Sequence, residues 1–297
     1  MHLRVSADTK RAVRVYSDAM YLSSPPSQNA QERESAPKIR GSKGNRKLVM
    51  VTAYDVAMAR LVDEAGVDIV LVGDSLGMVF QGNANTLGVT VDEICYHGRA
   101  VARGLTRAHL VGDMPFMSYQ VSPDQAVASA GRLVKEGAFE AVKVEGGEPF
   151  AEHVRRMVNA GIPVMGHVGL MPQSVHALGG FRVQGKTEAQ AEAIIRDAKA
   201  IEAAGAYAIV LEAIPSVLAQ KITNAVTIPT IGIGAGASCD GQVLVLNDLL
   251  GLGRGHVPSF AKAYAKVGDT IIEAVDAYAR EVRSGVFPPA RSPKLVK

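Results

Sequence analysis

The chain has 297 residues, 47% hydrophobic and 21% charged, enough apolar material for one large core and a single catalytic-sized domain, not a set of small stapled modules. Its formal charge of +3 is uneven: residues 1–47 hold ten Lys/Arg against four Asp/Glu, a net of +6, which leaves −3 for the rest. Nucleic-acid binding has little support, because aromatics are 5%, Trp is absent and no basic run is interleaved with aromatics, and no apolar run reaches the roughly 18–20 residues that cross a bilayer.

Residues 1–46 mix Ser, Pro, Gln, Glu and Arg, as in Ser23-Ser24-Pro25-Pro26-Ser27-Gln28-Asn29, without a sustained hydrophobic period. Such a segment buries too little to offset its ordering entropy. It reads as a flexible basic N-terminal extension, with a transit peptide as the alternative, favoured by Arg4, Arg11 and Arg14 and weakened by Asp8 and Asp18.

From Lys47 short apolar runs alternate with longer helical patterns, the signature of successive βα units and a parallel sheet. The predicted strands are Leu48–Ala53, Ile69–Gly73, Leu110–Met114, Ala141–Val144, Pro163–His167, Ala208–Leu211, Pro229–Ile233 and Val243–Leu246. Capping boxes at Thr90/Glu93, Ser122/Gln125 and Thr187/Gln190 predict helix starts, with Pro123 at a first helical position. Gly104, Gly137 and Gly205 predict the matching stops through a left-handed residue. Cys95 falls inside the first of these helices; with Cys239 it is one of two cysteines, far apart and without a CxxC, which suits a reducing cytoplasm. Beyond Leu246 the strands cease, and Phe260–Arg283 reads as a C-terminal helix packed outside the barrel or on a neighbouring subunit. Eight strands in about 200 residues favour a closed (β/α)₈ TIM barrel over residues 47–297. A doubly wound open sheet would instead favour a GxGxxG turn after the first strand, where Thr52-Ala53-Tyr54-Asp55 stands.

In such a barrel the active site lies where strands end. The ends here are polar: Asp74-Ser75, Asp113, Lys143-x-Glu145, His167 and Glu212. One acidic residue after a strand is ordinarily a cap or turn former. Five adjacent ends are different, since carboxylates converging on one mouth raise each other's pKa unless a cation sits among them. Asp74, Asp113 and Glu145 therefore imply a hard ion, Mg²⁺ first. Lys143, which alternates with Val142 and Val144, faces the side of Glu145 and suits an anionic substrate. His167 stands equally as a structural hydrogen-bonding group or as a binding or proton-transfer group. Gly232-Ile233-Gly234-Ala235-Gly236 reads either as a phosphate-binding turn or as a tight turn allowing close approach.

Several segments together resemble the ketopantoate hydroxymethyltransferase family. They are Leu71-Val72-Gly73-Asp74-Ser75-Leu76-Gly77-Met78, Lys143-Val144-Glu145-Gly146-Gly147, Gly166-His167-Val168-Gly169-Leu170-Met171-Pro172-Gln173-Ser174, Gly179-Gly180-Phe181-Arg182-Val183-Gln184-Gly185-Lys186 and Ile231 to Gly236. The resemblance runs in order from about Leu48 to Pro288. It implies a (β/α)₈ barrel that assembles as a decamer and uses Mg²⁺ to transfer a one-carbon unit from 5,10-methylenetetrahydrofolate to 3-methyl-2-oxobutanoate. It also implies Asp74, Asp113 and Glu145 at the metal site, Asp74, Ser75, Asp113 and Lys143 as substrate contacts, and Glu212 as proton acceptor. The sequence departs from the family at Asn83-Ala84-Asn85-Thr86-Leu87-Gly88, where a His-Asp pair and then a Pro are usual, in a loop expected over the mouth. Two other readings stand beside this one. The first is a Mg²⁺-dependent lyase or mutase related to isocitrate lyase, which would want a reactive Cys in a mobile loop and not Cys95 in a helix. The second is a non-catalytic small-molecule-binding barrel.

Overall fold

Eight parallel strands close into a barrel in strict chain order in a computed structural model that describes residues 32–255 and 257–289. They are β1 (Leu48–Thr52), β2 (Ile69–Val72), β3 (His109–Asp113), β4 (Ala141–Glu145), β5 (Val164–Gly169), β6 (Ala208–Glu212), β7 (Thr230–Ile233) and β8 (Gly241–Leu244). The (β/α)₈ expectation holds. Strand residues alternate between two faces, and the inward set forms one apolar cluster that includes Leu48 and Met50, Ile69 and Leu71, Val111, Ala141, Met165, Ala208 and Val210, Ile231 and Val243. The outward set packs beneath the helices in a second, larger cluster. The interior is thus filled by apolar side chains below a polar upper rim, apart from buried His109 at the foot, which contacts Glu140 and the Tyr207 hydroxyl.

The helix starts follow the capping chemistry. Thr90 and Thr187 each form a complete box, opening the helices Val91–Ala102 and Glu188–Ala203. Ser122 accepts the Gln125 N–H, but Gln125 turns its side chain to the N–H of Val121, one residue outside the expected box. Of the three glycine stops only Gly205 has positive φ; Ala138 takes the left-handed position after Pro123–Gly137. Gly104 and Gly137 serve packing instead, because a Cβ there would press on Ala59 and on the Phe139 ring.

Three expected boundaries move. Strand β8 lies two residues earlier than Val243–Leu246, since its pairing with β1 sets Leu48 opposite Gly241 and Val51 opposite Leu244; a shift of two keeps Val243 facing inward. Leu246 instead donates its N–H to Thr52 Oγ1 and opens the short helix Leu246–Leu250. The C-terminal helix is Val267–Ser284, not Phe260–Arg283. Residues 260–266 are held off a helical course by the Phe260 ring packed on Gly234 and the Tyr264 N–H bonded to Leu249 O. That helix carries exposed Ile271, Ile272, Val275 and Tyr278.

The third correction concerns residues 33–46, read from sequence as part of the extension. They belong to the barrel. Ala36–Gly41 is helical, with Pro37 in its first turn, and Ala36 and fully buried Ile39 plug the inner cluster at the foot of the barrel. Arg46 pairs with Glu34 at 2.7 Å and Asp68 at 2.5 Å. Residues 1–31 lie outside the described residues. A chain beginning at Gly41 is expected to be less stable than one beginning at Glu32 by roughly 1.5–3 kcal/mol, the burial of one isoleucine. Equal urea midpoints for the two truncations would contradict the role given to Ile39.

Among the described residues no helix is long and apolar enough to cross a membrane.

Candidate active site

In the four adjacent strands β3 to β6 the inward face ends in titratable residues. Val111 is followed by Asp113, Ala141 by Lys143 and Glu145, Met165 by His167, and Val210 by Glu212. Parallel register sets Asp113 beside Lys143 and Glu145 beside His167. Asp74 and Ser75 follow β2. All seven residues expected from the sequence, Asp74, Ser75, Asp113, Lys143, Glu145, His167 and Glu212, line one cavity of about 610 Å³ over the barrel mouth.

A relay of polar contacts runs across that mouth. Lys143 Nζ lies 2.7 Å from Asp113 Oδ1 and 3.2 Å from His167 Nδ1. Asp113 Oδ2 accepts the backbone N–H of Asp74 at 3.0 Å. Gly73 permits this approach, for a Cβ there would meet Asp113 Oδ2 at 3.2 Å and Ser75 Oγ at 2.9 Å. Ser75 Oγ is tied to the Tyr54 hydroxyl at 2.9 Å. On the other side His167 Nε2 lies 3.2 Å from Glu212 Oε2, close but poorly aligned for a hydrogen bond. Burial first, and then the Lys143 charge, lowers the His167 pKa. The ring is therefore neutral at pH 7, and its neighbours assign the tautomer: Nδ1 accepts from the ammonium and Nε2 carries the proton toward Glu212.

The opposite wall is acidic. Burial and then the charge of Asp113 push Asp74 up to about 7. Burial and then Asp74 push Glu145 well above the usual carboxylate range. Burial works against the Lys143 ammonium, but Asp113, Glu145 and Asp74 together outweigh it and hold its pKa above the ordinary lysine value. Three buried carboxylates thus face one ammonium. Hard oxygen donors with an excess of negative charge fit a divalent cation such as Mg²⁺. Among the described residues no three His, Cys, Asp or Glu side chains close on a single point as a complete ligand set. An ion held by one or two of these carboxylates would take its other positions from water or substrate oxygens.

Sequence reasoning missed Gln173 and Tyr119. Gln173, in the turn Pro172–Ser174 after β5, donates its side-chain amide to Asp74 Oδ2 at 3.0 Å and to Met114 O at 2.9 Å, and its backbone N–H to Glu145 Oε2 at 3.0 Å. The Tyr119 hydroxyl reaches Glu145 O at 2.9 Å and Gln173 Oε1 at 3.0 Å. One glutamine therefore orients two of the three carboxylates. Nothing in a sequence separates such an amide from a solvated one, although Gln173 stands within a motif already singled out. The glycine run proves to be a close-packing turn: Phe260 fills the space before Gly234, and Gly236 passes against Ser216. Of the divergent loop, Thr86 lines the cavity.

The ketopantoate hydroxymethyltransferase family model matches residues 33–290. The chain belongs to the ketopantoate hydroxymethyltransferase family. The match begins at residue 33, three residues before the helix Ala36–Gly41 that plugs the barrel foot. A 3-methyl-2-oxobutanoate hydroxymethyltransferase of Anaeromyxobacter sp. (strain Fw109-5) is 59% identical over 246 residues, 82% of this chain and 81% of the relative. One of Clostridium beijerinckii is 57% identical over 243 residues, 82% and 88% of the two chains. The protein is accordingly an enzyme, a transferase of the hydroxymethyltransferase class, and the non-catalytic reading is retired. Among solved structures it is similar to a phosphonopyruvate hydrolase complexed with oxalate and Mg²⁺, with TM-score 0.57 and 15% identity over 88% of this chain and 93% of that one. It is also similar to 2,3-dimethylmalate lyase, of the phosphoenolpyruvate mutase/isocitrate lyase superfamily, with TM-score 0.55 and 14% identity over 88% and 91%. At that identity the fold alone is shared. Cys95 is buried in the helix Val91–Ala102, not in a loop over the mouth where the lyase reading would place a reactive cysteine.

Proposed function

We propose that the enzyme transfers a one-carbon unit from 5,10-methylenetetrahydrofolate to 3-methyl-2-oxobutanoate, giving 2-dehydropantoate for pantothenate and coenzyme A synthesis. The relatives' shared activity supports this reading. The observation that carries it is the pairing of a rim carboxylate, Glu212, held beside neutral His167, with a buried acidic wall and one ammonium across the same mouth.

Asp74 and Asp113, with Glu145 behind them, would hold Mg²⁺. When bound, the ion supplies a Lewis acid that takes up charge developing on the keto oxygen. The chain's own groups do the rest. Lys143 offers its ammonium to the negative charge of the keto acid, and Ser75 lies in the wall beside it. Glu212, 16% exposed at the rim and beside the neutral ring of His167, takes the C3 proton. The carbon so freed forms a bond to the methylene carbon of the donor. Both C–N bonds of that methylene break, and tetrahydrofolate leaves with its two nitrogens protonated, one proton coming from C3 and one from water. The rest of that water supplies the hydroxyl.

The buried, unpaired Cys95 and Cys239 support a cytoplasmic setting. The exposed apolar face of Val267–Ser284 supports assembly with further copies, for which the family resemblance suggests a decamer.

Formation of 2-dehydropantoate should require both substrates and stop on chelation of the metal. Keto-acid binding should vanish with it while the thermal transition moves modestly, because the barrel core, not the ion, fixes the strand ends. Unfolding on chelation would contradict the metal's role. Tight keto-acid binding with no product from the tetrahydrofolate donor would sink the donor assignment.

A further inference from the structure

The acid–base groups occupy only the floor of the cavity, whose volume of about 610 Å³ belongs to the size class of sites for much larger ligands than a five-carbon acid. The rest of the lining is largely apolar and includes Met78, Val79, Phe181, Val183, Pro258 and Phe260. Phe181 and Phe260 are 49% and 41% exposed, so aromatic surface is left for a ligand to cover. One further carboxylate, Asp248 of the helix Leu246–Leu250, lines the same cavity. It is half-buried, and its side chain has no hydrogen bond or ion pair among the described residues.

A partly desolvated carboxylate without donors is unfavourable, and burial raises the Asp248 pKa. The donors it lacks cannot come from 3-methyl-2-oxobutanoate, which is itself an anion without N–H groups and would be repelled. They can come from the second substrate.

We propose that Asp248 docks the one-carbon donor by accepting N–H groups from the aminopyrimidinone edge of its pterin ring, which lies flat against the apolar walls near Phe260. This rests on tetrahydrofolate being the donor. A 2-amino-4-oxo ring carries adjacent N–H donors on one edge, matched to the two oxygens of a carboxylate. Its faces are aromatic, suited to edge or offset packing on phenylalanine. The site so assigned binds the donor above the keto acid, which occupies the floor between Lys143 and the acidic wall.

Asp248→Asn replaces one acceptor by a donor and removes the charge while keeping the shape. Tetrahydrofolate binding, followed by titration calorimetry on the Mg²⁺ enzyme, should weaken by about 10- to 100-fold, the worth of hydrogen bonds to a charged group, and the KM for the donor should rise with it. Exchange of the C3 proton of 3-methyl-2-oxobutanoate into D₂O, which needs no donor, should hardly move, and neither should the KM for the keto acid. Asp248→Glu, which restores the acceptor pair on a longer arm, should recover part of the affinity that Asp248→Asn loses. Unchanged tetrahydrofolate affinity in a folded Asp248→Asn protein would overturn the assignment. So would an equal loss of proton exchange, which would make Asp248 a structural support of the catalytic floor. If the unaltered enzyme binds the keto acid but no tetrahydrofolate, the donor reading itself falls, and this outcome is separate from any result on the variant.

Discussion

Replacing Glu212 by Gln should slow Mg²⁺-dependent exchange of the C3 proton of 3-methyl-2-oxobutanoate by on the order of 10²–10⁴, the usual contribution of a positioned general base. The amide keeps the shape of the side chain and cannot take a proton. Glu212 ends β6 on its inward face, two residues beyond Val210, and its Oε2 lies 3.2 Å from His167 Nε2. His167 cannot readily replace it as base, because its Nδ1 is directed at the Lys143 ammonium and its Nε2 at Glu212. Metal and keto-acid affinity should change far less than the exchange rate, since Asp113 and Lys143 lie on other strands and Asp74 follows β2. Glu212 does not cap the following helix, Ser216–Ala225, whose N-cap is Pro215, so no large stability loss is expected. Exchange near the unaltered rate in folded Glu212→Gln would remove this residue from the mechanism.

Lys143→Met is expected to destabilise the metal-free protein by about 3–5 kcal/mol, the cost of breaking a buried ion pair by removing one partner, and to abolish keto-acid binding. Lys143 is the ammonium set among Asp74, Asp113 and Glu145, and it is itself 5% exposed. Its loss leaves Asp113 buried without its partner at 2.7 Å. It also removes the charge that restrains Asp74 and Glu145, which burial and then carboxylate repulsion already push up, Asp74 to about 7. A carboxylate whose folded pKa is raised above its unfolded one favours the folded state while protonated, and that advantage is lost as pH rises through the folded value. The deficit of Lys143→Met should therefore widen as pH rises through about 7, where Asp74 ionises in the unaltered protein, and saturating Mg²⁺ should narrow it there. Urea unfolding at several pH values, with chelator and with Mg²⁺, measures both effects. Equal stability of variant and unaltered protein at pH 8 in chelator would show that Lys143 does not balance the acidic wall.

The barrel was legible because its signals are local and repeated. Apolar runs of strand length, separated by capped helices, cannot be satisfied by many arrangements, and Thr90 and Thr187 cap as their spacing requires. The titratable strand ends were legible for a related reason: period-two alternation carries Val111 to Asp113, Ala141 to Lys143 and Val210 to Glu212 on one face, so the residue types alone place titratable groups at the rim.

Other features depend on contacts between distant segments, and no local pattern reports those. Residues 33–46 look like a polar tail until Ile39 finds the inner cluster at the barrel foot, across a contact with strands far along the chain. Gln173 looks like any loop amide until β5 carries it over Asp74, 99 residues away. Phe260 was placed in a helix, and only its docking on Gly234 takes it out of one. Sequence by itself determined the architecture, the residues at the strand ends and the family, because these follow from periodicity, capping and motif. Tertiary structure alone decided which carboxylates share a donor, which tautomer His167 adopts and which carboxylate is left without a partner above the floor. These are properties of the separation between side chains on different strands, and that separation exists only once the barrel has closed.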